Sequence, residues 1–218
     1  MDIQLNEIEV RILGVLVEKE ITTPDYYPLS LNALRNACNQ RSNREPVMDL
    51  NESTVREGLD NLNRKGLAGP VSTAESRVTK YAHRLQEVFN FSRRETAVLC
   101  VLFLRGPQTP GELRVHTERM YRFDDLATVE STLNHLMERE PPLVKKLARL
   151  PGTKEARYAH LLAGDVETWD AGSEPALSSG VIYPDDERLA RLESEVATLQ
   201  EQLTDLRQQF ADFRKQFE

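Results

Sequence analysis

Histidine and cysteine are the side chains best suited to acid–base or nucleophilic work near neutral pH. This chain of 218 residues has four of the first and two of the second. His83 and His160 fall at matching points of a repeated Tyr-Ala-His segment, which gives both a structural reason to be there. His116 and His135 have no cysteine or carboxylate at the spacing of a zinc site. Cys38 and Cys100 sit on apolar helical faces, as small core residues do. No Gly-x-Ser-x-Gly elbow, Walker loop or Gly-x-Gly-x-x-Gly turn occurs. The expectation is a non-enzymatic protein without catalytic residues, metal or cofactor.

What the chain does offer is planar hydrogen-bonding groups for recognition. Asn39, Gln40, Arg41, Asn43 and Arg44 crowd residues 39–49, between two helices of the first half. A helix-turn-helix needs a turn of only about three to four residues there. Amide and guanidinium groups can engage bases, phosphates or a peptide backbone. They can also bond their own backbone and shape a loop ahead of Pro46. Recognition is the leading expectation, because a long polar insertion beside a reading helix is where specificity tends to reside. On that reading, Arg41→Ala with Arg44→Ala weakens partner binding without lowering the melting temperature.

A second basic group lies in residues 143–162, where Lys145, Lys146, Arg149, Lys154 and Arg157 face Glu155 alone. Such a hairpin either tracks phosphate through counterion release or is an ordinary solvated strand pair. Arg56 lies on a helix whose other outward positions, Glu52, Glu57, Asp60, Asn63 and Arg64, are mixed in sign. The matching helix further on shows Asp125, Glu130, Ser131, Asn134 and Glu138, a row that repels phosphate.

The elements that position these groups come in two copies. Thr54-Val55-Arg56-Glu57-Gly58-Leu59-Asp60-Asn61-Leu62 returns as Thr128-Val129-Glu130-Ser131-Thr132-Leu133-Asn134-His135-Leu136, and Lys80-Tyr81-Ala82-His83 returns as Arg157-Tyr158-Ala159-His160. Each copy opens on a capping box, Asn6 with Glu9 and Ser92 with Glu95. Ile8, Ile12, Val15 and Leu16 form one apolar face, whereas residues 97–104 are apolar nearly all round and need cover at an interdomain or dimer surface. Second helices are predicted over about 29–39 and 109–119, and third helices over 51–65 and 125–139. Val55, Leu59 and Leu62 face inward, as do Val129, Leu133 and Leu136. Strand pairs follow at 67–72 with 77–85 and at 143–150 with 156–162, the second turning at Pro151-Gly152. Three helices and a hairpin, twice, predict a mainly α protein with small β-hairpins: two tandem winged helix-turn-helix domains over 1–86 and 87–163.

A long specific stretch supports this. Glu18-Lys19-Glu20-Ile21-Thr22-Thr23-Pro24-Asp25-Tyr26-Tyr27-Pro28-Leu29-Ser30-Leu31-Asn32-Ala33-Leu34, continued by Asn39-Gln40-Arg41-Ser42-Asn43-Arg44-Glu45-Pro46-Val47-Met48, resembles the bacterial YceH-like family. The likeness covers residues 1–163 and, more loosely, the C-terminal coil. It implies a tandem winged-helix fold and carries no catalytic residues.

The net charge of −7 is unevenly spread. Residues 1–84 carry 11 basic and 12 acidic side chains, residues 85–163 carry 12 and 10, and residues 164–218 carry 5 and 13. The acid belongs to the tail, so an acidic chain does not exclude a polyanion partner for the body. No secretory signal or membrane-length apolar run is present, and the cysteine usage fits a reducing, cytoplasmic setting. Residues 164–186 read as a linker. Over residues 187–218, Leu189, Leu192, Val196, Leu199, Leu203, Leu206, Phe210, Phe213 and Phe217 recur at alternating spacings of 3 and 4, a coiled-coil helix. This seam pairs with a second copy, a protein partner or the chain's own body; a homodimer is the leading expectation. Deleting residues 186–218 then turns a dimer into a monomer in light scattering. The leading function is DNA binding of a transcription-regulator kind. The alternative is a protein-interaction scaffold that uses winged helices as docking platforms, as accessory subunits of chromosome-condensing complexes do.

Overall fold

A computed structural model describes residues 3–71, 78–149 and 155–165. The coiled-coil seam from Leu189 to Phe217, most of the linker, the Pro151-Gly152 turn and Lys154 lie outside the described residues.

The first copy runs α1 (Glu7–Thr22), a 3₁₀ turn at Pro24–Tyr26, β1 (Leu29–Ser30), α2 (Leu31–Cys38), α3 (Glu52–Arg64), β2 (Ala68–Val71) and β3 (Lys80–His83). A short α4 (Leu85–Phe89) leads into the second copy: α5 (Arg93–Arg105), α6 (Pro110–His116), α7 (Leu126–Met137), β4 (Val144–Lys146) and β5 (Tyr158–His160). The chain is therefore mainly helical with small antiparallel sheets.

Side chains set the helix starts. The Asn6 side chain accepts from Glu9 N while Glu9 reaches back to Asn6 N, and Ser92 with Glu95 and Thr109 with Glu112 do the same for α5 and α6. Asn51 and Asp125 cap α3 and α7. The third helix of the first copy ends where Gly66 takes φ +74, which lets Leu67 N bond back to Leu62 O at 2.9 Å.

In the first sheet β3 lies between β1 and β2, with Leu29 opposite Tyr81 and Ala68 opposite His83. In the second, β4 pairs with β5 through Val144 opposite His160. A single bridge from Gln108 to Tyr158 stands where β1 stands in the first copy. The backbone repeats the sequence duplication closely: Arg84 N donates to Leu67 O at 2.8 Å, and Leu161 N donates to Leu143 O at 2.8 Å.

The expected inward faces of α3 and α7 are buried, and so is residue after residue of α5 from Ala97 to Leu104. Cover for α5 comes from α1, the interdomain arm of the expectation. At Gly14 the helices approach so closely that an added Cβ would lie 2.9 Å from both Leu104 Cδ2 and Phe103 Cβ. Cys100 Sγ donates to Gly14 O at 3.4 Å across the same seam. Both free cysteines are buried, and burial pushes their thiols up, Cys38 to about 12. Leu5 N also bonds Leu162 O at 2.7 Å, tying the start of the first copy to the end of the second. The buried side chains of both copies accordingly form one continuous cluster, and the described residues make one compact unit across the 86/87 boundary.

Candidate functional site

The insertion at residues 39–49 is a strap fastened from beneath by charged side chains of α1. Arg44 is its anchor. Its side chain is 0% exposed and donates from Nη1 and Nη2 to the Glu18 carboxylate at 3.0 and 2.6 Å. Nε donates to Ala37 O at 3.2 Å, Nη1 to Asn43 O at 2.8 Å and Nη2 to Gln40 Oε1 at 3.0 Å. Burial alone would raise the Glu18 pKa, but the hydrogen bonds and charge of Arg44, with Lys19, outweigh it and hold the carboxyl below its ordinary range. Arg11, itself buried, donates from Nη1 to Cys38 O at 3.2 Å and from Nη2 to Pro46 O at 2.6 Å.

The other polar groups of the strap divide. Asn39 clamps its two ends, donating to Leu50 O and accepting from Leu50 N, both at 2.8 Å. Gln40 serves Arg44 and also accepts from Lys19 Nζ at 3.4 Å. Asn43 sits in the left-handed region at φ 58, a conformation asparagine tolerates, and its Oδ1 accepts from Arg105 Nη2 of α5. Glu45 N bonds Leu104 O at 2.7 Å. The strap therefore joins the two copies. Arg44, expected as a partner contact, is buried with every hydrogen bond it makes internal, and Asn39 and Gln40 are similarly engaged. Arg41 stays exposed.

The second hairpin tells the same story. Arg157 donates to the Glu112 carboxylate from Nη1 at 2.7 Å and Nη2 at 3.1 Å, and from Nη1 to Pro107 O at 3.0 Å. This pins the return strand to the start of α6. Lys145 is ion-paired with Asp165. Lys146 is exposed with its Nζ 5.8 Å from the Tyr158 ring centre, and Arg149 is exposed. On α3, Arg56 forms an exposed pair with Glu52 at 2.8 Å. The outward row of α7, Glu130, Ser131, Asn134 and Glu138, is exposed, with Asp125 at its cap.

The histidines have distinct surroundings. Leu85 N–H donates to His83 Nδ1 at 3.3 Å, so the proton sits on Nε2, which donates to Glu20 Oε2 at 2.8 Å. Both ring nitrogens are thereby occupied. His160 packs edge-on against Phe103, and burial lowers its pKa to about 4. His116 is lowered to about 4 by burial and then by the Arg105 charge. Glu95, His135 and Ser131 line a cavity of about 220 Å³. Glu95 there is engaged in the Ser92 capping box, and His135, 77% exposed, lies 3.9 Å from it. No group of three metal-ligating side chains occurs among the described residues. None of their helices is long and apolar enough to cross a membrane.

Glu18 and Arg11 escaped the sequence reading. The legible signal was a lone arginine between Val10 and Ile12, since a charge inside an apolar helical face requires a buried partner.

The chain belongs to the family described as proteins of unknown function, DUF480, whose model matches residues 5–153. It is similar to a UPF0502 protein of Solibacter usitatus, 56% identical over 197 residues, which are 90% of this chain and 93% of the relative. A UPF0502 protein of Koribacter versatilis is 55% identical over 198 residues, 90% of each chain. One of Geobacter sulfurreducens is 52% identical over 200 residues, again 90% of each.

Proposed function

We propose that this protein is a non-enzymatic docking platform: two winged helix-turn-helix modules fused through one core, offering their outer surfaces to a protein partner. The duplicated order of three helices and a hairpin, with a short strand or bridge ahead of the second helix, supports the winged-helix reading. The observation that carries the docking reading is the internal engagement of the cations that would meet phosphate. Arg44 is held by Glu18, Arg157 by Glu112 and Lys145 by Asp165. Acidic side chains on the third helix of the second module add like charge where a groove reader needs counterion release. A non-enzymatic role is supported by His83, whose two nitrogens are both bonded, and by Glu95, which is tied into a helix cap.

DNA binding is favoured by one observation: Arg41, Lys146 and Arg149 are exposed on the strap and the second wing. Fluorescence anisotropy with a labelled mixed-sequence duplex, at about 50 mM and about 200 mM salt, separates the two readings. A platform is expected to show no saturable binding at either. Tight binding at the lower salt that falls by orders of magnitude at the higher one would establish a phosphate-tracking surface instead.

A further inference from the structure

We propose that the cavity between α4 and the connection from α7 to β4 is the seat of the chain's own Trp169. The cavity measures about 620 Å³, within the range of preformed sites. Leu143 and Leu162, both buried, line it together with Val88, Phe89, Pro142 and Leu161. Val88 is 41% exposed, so apolar surface here still faces water. Among the described lining residues only Arg139 and Glu140 are charged. Arg139 is already engaged: Nη1 and Nη2 both donate to Phe89 O, at 3.1 and 3.0 Å, and its guanidinium covers the Phe91 ring at 4.7 Å. Glu140 is exposed. The space suits a large apolar side chain and sets no uncommitted cation before an anion.

The chain itself leads an aromatic to this spot. Gly164 N bonds back to Leu161 O at 3.0 Å with Gly164 at φ 98, which closes a turn at the edge of the cavity. Asp165, the last described residue, is ion-paired with Lys145, two residues along from Leu143 of the lining. Trp169 follows four residues later and is the only tryptophan in the sequence. Four residues span up to about 14 Å, enough to return to a cavity that Leu161 and Leu162 line. The next aromatic, Tyr183, stands 18 residues past Asp165, and a longer loop costs more entropy to close. An indole has a large flat apolar body and one N–H for a carbonyl or water at the rim. The duplication adds a further point. Arg84 is the first-copy equivalent of Leu161, with the same backbone bond to Leu67 that Leu161 makes to Leu143. The arginine lies against Gly69, where an added Cβ would meet its Nη2 at 3.0 Å. Leucine at this place in the second copy keeps the cavity apolar.

Because Trp169 is the only tryptophan, the tryptophan emission of the full chain reads this one site. The folded chain is expected to emit at shorter wavelength than the chain unfolded in urea, and acrylamide is expected to quench it several-fold less. Leu161→Arg puts into the cavity the residue that the first copy carries at the equivalent place. It is expected to return emission and quenching to the unfolded values while far-UV circular dichroism stays at the parent level. Val88→Glu, at an exposed position of α4, is expected to do the same and decides the matter if the first variant fails to fold. The proposal is overturned by folded-state emission that matches the unfolded chain, or by shielding that survives in either folded variant. Shielding lost on dilution would also overturn it, since the tryptophan of a second copy would then fill the cavity.

Discussion

Replacing Arg44 by alanine removes a side chain whose guanidinium meets a carboxylate, two backbone carbonyls and an amide in a site closed to water. Glu18 is left without its main counter-charge. Breaking a buried pair from one side costs about 3 kcal/mol or more, so Arg44→Ala is expected to lower stability by roughly that amount in urea unfolding. Arg41→Ala, at an exposed position of the same strap, is expected to change it by less than about 0.5 kcal/mol. Equal small effects would return Arg44 to the surface. Protons test the same scale. His160 and His116 titrate near 4 when folded, below the ordinary histidine value, so the unfolded chain takes up their protons first. Their contribution is full above about pH 6.5 and is lost as pH falls from there towards 4. His160→Phe is expected to flatten that part of the stability profile; an unchanged slope would mean the ring titrates normally.

Among the elements, the seam between α1 and α5 makes the sharpest demand. Alanine is a better helix former than glycine by about 1 kcal/mol, and on propensity alone Gly14→Ala would stabilise α1. The added methyl meets Phe103 Cβ and Leu104 Cδ2 at 2.9 Å, so the helices must part. The net expectation is a loss of about 1–2 kcal/mol, read as a lower denaturation midpoint at unchanged slope. A gain would show that the seam is loose.

Element starts and faces were readable because they depend on local chemistry. The capping boxes at Asn6 and Ser92 and the inward residues of α3 and α7 are set by neighbours three and four residues away. β1 and α4 were not readable. β1 is two residues long and exists because Leu29 and Ser30 meet Tyr81 and Lys80 from far along the chain. Residue 85 looks like the end of a strand, yet Leu85 N bonds the His83 ring and starts a helix. The internal bonds of Asn39, Gln40 and Arg44 were not readable for the same reason: residue type shows what can be bonded, whereas Glu18 and Leu50 decide what is.

For the molecule as a whole, duplication produced two equivalent sets of elements without two separate cores. A helix apolar on all sides cannot stand at the edge of an independent domain, and α5 is covered by α1 of the other copy. The strap adds bonds from Asn43 to Arg105 and from Glu45 to Leu104, and the N-terminal arm bonds Leu162. On the proposed docking reading, this shared core would hold the outer surfaces of both copies in fixed relation for one partner across them. Native-state hydrogen exchange at rising urea concentrations tests the shared core most directly. Amides of residues 12–16 in α1 and 98–102 in α5 are expected to exchange through one common opening, with the same free energy and the same denaturant dependence. Exchange of one set at clearly lower free energy while the other stays protected would contradict it.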